Sequence, residues 1–435
     1  MLSLSCNSNY LELTTMIKLS LMKKFLFVII ISLPIMALAQ KNSQWRGKNR
    51  DGIYNETGLL RVWPDDGPKL LWKFDRLGEG YTSAAIANEK IYITGMHGET
   101  LVLYVLDMEG KLLKEKEIGK EWNTNYNGTR SSVCVNDGKL YVFNALGTLL
   151  CLDETTLNEV WKKDLIAEFE GRNLRFGMTE NPLIVGDKIY ITPGGVKHNM
   201  VALNKNTGAL IWSSPGTGRQ TTYCSPLFIG DQSVPMVVTW MEGAKRDSSS
   251  KIQDNTLTAF NAETGELLWA LPLPSENDIN PNVPMYTNGL IFATTGYKGG
   301  SWLIKLKDGG KAAEQIWHNG EMDNQMGSAI KVGDYVYASG HQASKNWFCV
   351  DWKTGKTIYK DGEIAPCNVI FADGLLYCYS EKGTMNLVKP NPEKFELVSS
   401  FKVTLGTNQH WAHPVIHNGV MYLRHGEALM AYKVK

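Results

Sequence analysis

The sequence predicts an all-β protein, an eight-bladed β-propeller whose ring is closed by a strand from the N-terminal side. One observation is a phrase of apolar strand, Asn, Asp or Gly turn and second strand that recurs eight times. It is clearest at 85–93, 133–142 and 183–191, with weaker copies centred on Val237, Phe292, Tyr337, Tyr377 and Tyr422. From Tyr92 to Tyr422 the mean period is about 47 residues, within the range of propellers and solenoids. A second phrase closes most repeats, as in 202–212 and 259–269, where Asn-x-x-Thr-Gly leads to Trp212 and Trp269. The last repeat breaks off after 414–432, and the outer strand it lacks is available at 68–74, which carries Trp72 ahead of the first repeat.

Each element follows from these phrases. Short apolar or alternating runs broken by Asn, Asp or Thr-Gly turns are strands joined by tight hairpins, so one period holds four antiparallel strands, which is one blade. Trp72, Trp161, Trp212, Trp269 and Trp317 recur once per repeat at the end of the outer strand. An aromatic of that size is suited to filling the wedge between neighbouring blades. Pairing 70–74 into the last blade closes the ring and removes an exposed edge.

The composition suits this architecture. In 435 residues, 45 Lys+Arg stand against 44 Asp+Glu and 43% are hydrophobic. That balance excludes a disordered chain and gives no electrostatic reason to expect nucleic acid as a partner. Met22-Lys23-Lys24, the apolar run 25–31 and Ala37-Leu38-Ala39 read as a signal peptide over 22–39, cleaved before Gln40. Residues 1–21 then precede the expected start at Met22, 40–67 form an N-terminal extension, and 68–435 form a single propeller domain. The expected location is the periplasm, without a lipid anchor at the cleavage site, because residue 40 is Gln rather than Cys.

Cys134, Cys151, Cys224, Cys349, Cys367 and Cys378 remain in the mature chain. Cys151 and Cys349 fall where other repeats have Ala202 and Ala259, so they read as small buried strand residues. Cys367 and Cys378 come nearest to a bridge, as diagonal neighbours across a hairpin turning at Asp373-Gly374, a spacing that usually holds sulfurs too far apart.

Positions just before each inner strand ring the mouth of a propeller's central channel. Here they include Tyr81, Arg130, Glu180, Tyr223, Asn280, Gln325, His410 and Trp411. These types suit a small polar ligand or a peptide end, with Arg130 and Glu180 as opposed charges, or a water-filled mouth with no ligand. His410, His413 and His417 cluster near a strand start, but the further ligands of a metal site are not identifiable, so hydrogen-bonding and loop roles are expected. No Gly-x-Ser-x-Gly, phosphate loop or His-Glu-x-x-His occurs.

The Asn/Asp-x-x-Thr-Gly-x-x-x-Trp ending resembles the blades of the pyrroloquinoline quinone (quinoprotein) propeller superfamily. The resemblance sharpens at 44–52 with 57–60, at 128–132 and at 411–415. Together these segments are similar to a bacterial group of exported quinoprotein-like propellers. That group in turn resembles the lipoprotein scaffold of the outer-membrane β-barrel assembly machinery. The resemblance implies either a non-catalytic scaffold of the cell envelope, binding an envelope protein or a small polar ligand, or a quinone-dependent alcohol or sugar dehydrogenase. Dehydrogenases of the superfamily use adjacent cysteines, a Glu/Asn calcium site and an Asp base around a stacked quinone. No two cysteines are adjacent here and no Cys-x-x-Cys-His occurs, so the scaffold is the expectation and no cofactor is expected. Pyrroloquinoline quinone with calcium remains the alternative, as does a weaker reading as a lyase or hydrolase using the mouth residues.

Overall fold

The Asn-Gly and Asp-Gly pairs of the repeat are two-residue hairpin turns that need a left-handed conformation at both positions. At 137–138, 288–289, 373–374 and 418–419 the first residue lies at φ 47–50° and the glycine at 73–78°. The computed structural model describes residues 41–243 and 250–435; the leader read over 22–39 and the start at Met22 lie outside them. Eight sheets follow one another, each with four antiparallel strands, and that of blade 7 takes Ile53–Tyr54 as a fifth, parallel strand. Their inner strands, in order from blade 1 to blade 8, are Ala85–Ala87, Cys134–Asn136, Leu183–Val185, Leu227–Ile229, Met285–Thr287, Ile330–Val332, Cys367–Ala372 and Val415–His417. The protein is an all-β, eight-bladed propeller. Blade 8 takes its outer strand from Leu70–Phe74, which pairs antiparallel with Ala428–Lys433 through Trp72 opposite Ala431 and Phe74 opposite Leu429.

The core lies in the wedges between blades. Cys134, Tyr141 and Trp161 of blade 2, for example, pack with Ile189, Val201 and Leu203 of blade 3. The recurrent tryptophan locks these wedges from the rim. Trp72, Trp161, Trp212, Trp269 and Trp317 each donate the indole N–H to a carbonyl in the turn of the next blade, those of Met108, Lys205, Ala262, Gly310 and Trp352, at 2.9–3.1 Å. The turn itself is shaped by its first residue, since Asp153, Asn204 and Asp351 accept from the backbone N–H three residues on. The glycine that ends it has a second reason to be glycine. A Cβ at Gly110, Gly208, Gly265 or Gly355 would come within 2.4–2.9 Å of the docking ring. Blade 1 has no tryptophan to offer blade 2. There the glycine slot holds Leu157 at φ 60°, and Lys116 Nζ donates to its carbonyl at 2.7 Å.

Every outer strand also carries a β-bulge, and the extra residue is aliphatic in all eight: Leu71, Leu113, Val160, Ile211, Leu268, Ile316, Ile358 and Val398. A bulge on an edge strand raises its twist and spoils it as a template for another strand. The rim is thus guarded where four-stranded blades would otherwise offer free edges.

The six cysteines are buried free thiols. Cys151 and Cys349 lie opposite Trp161 and Tyr359, as Ala202 lies opposite Trp212. Val369 pairs with Cys378 and Cys367 with Ser380, which leaves the two cysteines diagonal and unbridged.

Trp212 is buried and its indole N–H is satisfied, so Trp212→Ala should cost about 3–5 kcal/mol, the range for emptying a large aromatic site. Gly265→Ala should destabilise the same wedge, because its Cβ meets Trp212 and its φ is 76°. Urea unfolding would show both as a lower midpoint. A Gly265→Ala protein as stable as the wild type would refute the docking geometry.

Candidate functional site

The inner strands converge on a central channel, and where they begin a belt of hydrogen bonds ties all eight blades together. Ser83 Oγ donates to His413 O (3.0 Å), Ser83 N to Ser132 Oγ (2.9 Å), Ser132 N to Asn181 Oδ1 (2.8 Å) and Asn181 N to Ser225 Oγ (2.8 Å). Cys224 Sγ meets Asn282 O at 3.4 Å, and Ser328 N donates to Asn282 Oδ1 at 3.1 Å. Cys367 N donates to Ser339 Oγ at 3.1 Å, and Asn368 Nδ2 to Trp411 O at 2.7 Å. Buried polar groups at the start of inner strands need partners, and in this belt the neighbouring blade supplies them.

Below this belt the segment 43–56 fills the channel. Ser43 exchanges backbone hydrogen bonds with Val135 of blade 2, while Ile53–Tyr54 runs parallel to Phe371 and Ala372 of blade 7. Glu56 accepts from Asn418 N of blade 8 at 2.7 Å. Two buried guanidiniums fasten the middle. Arg46 donates to Gly327 O and Asp51 O at 2.9 Å, and Arg50 to Pro182 O and Asn181 O at 2.8 and 2.9 Å. Burial pulls Arg46 down to about 10 and lowers Arg50 as well. Both remain cations that replace lost hydration with carbonyl dipoles.

Above the plug lies a basin of about 590 Å³, within the usual size of a small-molecule site. Trp45, from the plug, lines it and meets His413 edge-on at 5.0 Å. Burial and the neighbouring Arg46 hold the His413 imidazole well below its usual range, so it is neutral. Around the wall runs a chain of rings. Tyr81 and Trp411 lie 5.0 Å apart, Trp411 and Tyr126 5.1 Å, Tyr126 and Phe176 5.9 Å, and Phe176 and Tyr223 6.2 Å. Tyr297 and His341 close the far side at 4.8 Å. Their loops are held by buried Asp323, which accepts from the backbone N–H groups of Lys298, His341, Gln342 and Ala343 at 2.8–3.0 Å.

Of the eight mouth positions read from the sequence, Tyr81, Arg130, Tyr223, Gln325 and Trp411 line the basin. Glu180, Asn280 and His410 stand one residue out of phase, behind neighbours that do line it: Thr179 and Asn181, Ile279 and Pro281, Gln409 and Trp411. Extended chain alternates its side chains, so a one-residue offset turns a group into the blade. Glu180 is 3% exposed and accepts from Thr192 N at 3.2 Å and from the Thr192 hydroxyl, so it does not oppose Arg130 across the mouth. Asn280 Oδ1 accepts from Thr295 Oγ1. His410 stacks on His425 at 3.7 Å and meets Tyr379 OH through Nδ1 at 2.6 Å, with burial and His425 pulling it down to about 4. His417 lies beside Asn418, and among the described residues no three His, Cys, Asp or Glu could share a metal ion. Arg130 turns on its own loop, donating to Gly128 O, Asn125 O and Tyr126 O at 2.6–3.0 Å. It thereby fixes the loop that presents Tyr126. Trp45, Tyr126, Phe176, Tyr297, His341 and Glu381 escape a reading tied to the inner strands, because they arrive from the plug and from connections of unequal length.

Fold and basin together define a propeller with a capped channel and one open, aromatic-lined end. The family model described as outer membrane protein assembly factor BamB matches residues 58–239 and 177–391, and the chain belongs to this family of pyrroloquinoline-quinone-like propellers. It is 22% identical over 296 residues to the quinoprotein alcohol dehydrogenase PedH of Pseudomonas putida, covering 61% of this chain and 47% of that protein. It is 26% identical over 249 residues to the outer membrane protein assembly factor BamB of Shewanella oneidensis, covering 53% and 56%. The chain thus spans about half the length of these relatives. Among solved structures, BamB from Moraxella catarrhalis superposes with a TM-score of 0.59 at 14% identity, covering 84% of this chain and 98% of that one. A europium-containing methanol dehydrogenase reaches 0.63 at 13% identity, covering 88% and 90%. At such identities these two likenesses speak for the fold.

Burial pushes the Glu180 carboxyl up to about 8 and that of Glu121 to about 7, against 4.5 unperturbed. Each is therefore protonated in the fold where the unfolded chain is ionised. Their contribution is full below pH 4.5 and is lost as pH rises through about 7 for Glu121 and 8 for Glu180. Stability should fall across that window, and Glu180→Gln should flatten the fall. Melting temperatures measured from pH 4.5 to 8.5 check this; a profile unchanged in Glu180→Gln would contradict it.

Proposed function

We propose that this protein is a non-catalytic binding propeller of the cell envelope, exported to the periplasm, which takes a small polar ligand or a segment of an envelope protein into the basin. The observation that carries the reading is the make-up of that basin. Among the described residues, its rings and neutral polar groups surround a guanidinium already committed to three carbonyls and a single lining carboxylate, Glu381. That is recognition surface without an acid, base or nucleophile poised on a common point. Membership of the BamB-described family supports the same reading, and no helix among the described residues is long and apolar enough to cross a membrane.

The relatives named quinoprotein dehydrogenases raise a second reading, a reaction at a quinone. Pyrroloquinoline quinone is a planar tricarboxylate that works with a divalent cation polarising its carbonyl, and a hard cation takes six to eight oxygen ligands, usually with several carboxylates. Among the described residues the lining offers Glu381 as its one carboxylate, and its asparagines Asn181, Asn282 and Asn368 are bound into the belt between blades. That donor set does not fit the quinone and its cation.

Mature protein mixed with pyrroloquinoline quinone and calcium should leave an artificial electron-acceptor dye unreduced in the presence of alcohols or aldoses. Native mass spectrometry of protein isolated from envelope extracts should instead show a retained ligand or partner. Steady dye reduction that requires both quinone and calcium would overturn the binding reading in favour of a dehydrogenase.

A further inference from the structure

We infer that the basin is built for a neutral saccharide. The inference rests on the binding reading above and names the ligand class for the same site.

The wall is the first ground. Tyr81, Trp411, Tyr126, Phe176 and Tyr223 form an unbroken run of rings contributed by blade 8 and blades 1 to 4, with neighbouring centroids 5.0–6.2 Å apart. An aromatic face carries partial negative charge, whereas the C–H hydrogens on one face of a pyranose carry partial positive charge. A sugar ring therefore gains both apolar contact and electrostatic fit against such a wall.

The polar groups beside the rings are the second ground. The indole N–H of Trp411, in the basin lining, has no partner among the described residues. Gln409 accepts from Tyr81 OH at 3.0 Å through its amide oxygen, which leaves its NH₂ group to donate. Gln325 donates to Tyr297 OH at 3.2 Å, which leaves its amide oxygen to accept. Glu381 is a carboxylate whose side chain takes no hydrogen bond from the described residues, although burial raises its pKa. Donors and acceptors alternate within one cavity, which suits hydroxyl groups, since each hydroxyl both donates and accepts.

Charge decides between ligand classes. An anion would call for free cations at the floor, but among the described residues three N–H groups of Arg130 are spent on its own loop, Arg46 is sealed in the plug, and His413 is neutral. A peptide would ask for a free strand edge or a pair of opposed charges, and Glu180 faces Thr192 instead of Arg130. At about 590 Å³ the basin exceeds what one pyranose ring fills, so an oligosaccharide end is the occupant.

The experiment is a screen of the mature protein on a glycan array carrying neutral and anionic glycans, followed by calorimetric titration of the best neutral hit at 50 and 500 mM NaCl. Pyrroloquinoline quinone and a neutral tetrapeptide are titrated in parallel. A neutral glycan should bind with an affinity that changes less than about twofold with salt, because no ion pair contributes. Trp411→Ala should weaken it at least about tenfold and Trp411→Phe should restore most of the loss, as for an aromatic platform. Tyr126→Ala serves as the second platform variant, because Trp411 O also accepts a belt hydrogen bond from Asn368. If only anionic glycans or the quinone bind, with strong salt dependence, or only the tetrapeptide binds, the saccharide is wrong and the binding reading stands. If the array and all probes are blank, both fall.

Discussion

A ring of wedges is stable only if it meets itself, and that condition governs the molecule. Each blade buries one face against the next, so an unpaired first or last blade would leave a wedge of apolar side chains in water. The chain answers with its N-terminal side. Leu70–Phe74 completes blade 8, and Trp72 docks onto the turn of blade 1, so the junction between the chain's two ends is built like the other interfaces. Segment 43–56 then joins blades 2, 7 and 8 from within the channel, with Arg46 and Arg50 reaching carbonyls ahead of the inner strands of blades 6 and 3.

The site is a consequence of that closure. The plug occupies one end of the channel and leaves the other as a basin with Trp45 for part of its floor. Rigid supports surround it: Asp323 gathers four backbone N–H groups, Arg130 gathers three carbonyls, and both ring nitrogens of His425 lie 2.7 and 2.9 Å from the carbonyl oxygens of Leu405 and Asn408, just before Gln409 and Trp411. Loops held this firmly present aromatic surfaces without a large ordering cost on binding. Arg130 and Glu180, the charged groups read at the mouth, are spent on this architecture.

The architecture was legible because it repeats. Period, turn chemistry and the Trp slot are each sampled several times along the chain, so a weak copy such as the one at Val237 is carried by strong ones such as that at Tyr190. The tryptophan role could be read for the same reason. The plug could not, since 43–56 occurs once, has no periodicity, and binds through carbonyls that any sequence provides. The basin was half legible. Reading the residue before each inner strand found Tyr81, Arg130, Tyr223, Gln325 and Trp411, but strand parity cannot be fixed across loops of unequal length, and a slip of one residue exchanged Thr179 for Glu180 and Gln409 for His410. Tyr126 and Phe176 lie on the longer connections of blades 2 and 3, where no repeat constrains their direction.

The N-terminal segment is structural, as deep in the fold as the blades. Native-state hydrogen–deuterium exchange on the mature chain tests it most directly, since protection reports the opening free energy of each segment. The amides of Ile53–Tyr54 and Leu70–Phe74 that are hydrogen-bonded should exchange as slowly as those of Ala428–Lys433 and lose protection with them in one cooperative opening. Exchange of the N-terminal amides within seconds, while blade 8 stays protected, would contradict the account: closure would then not depend on that segment.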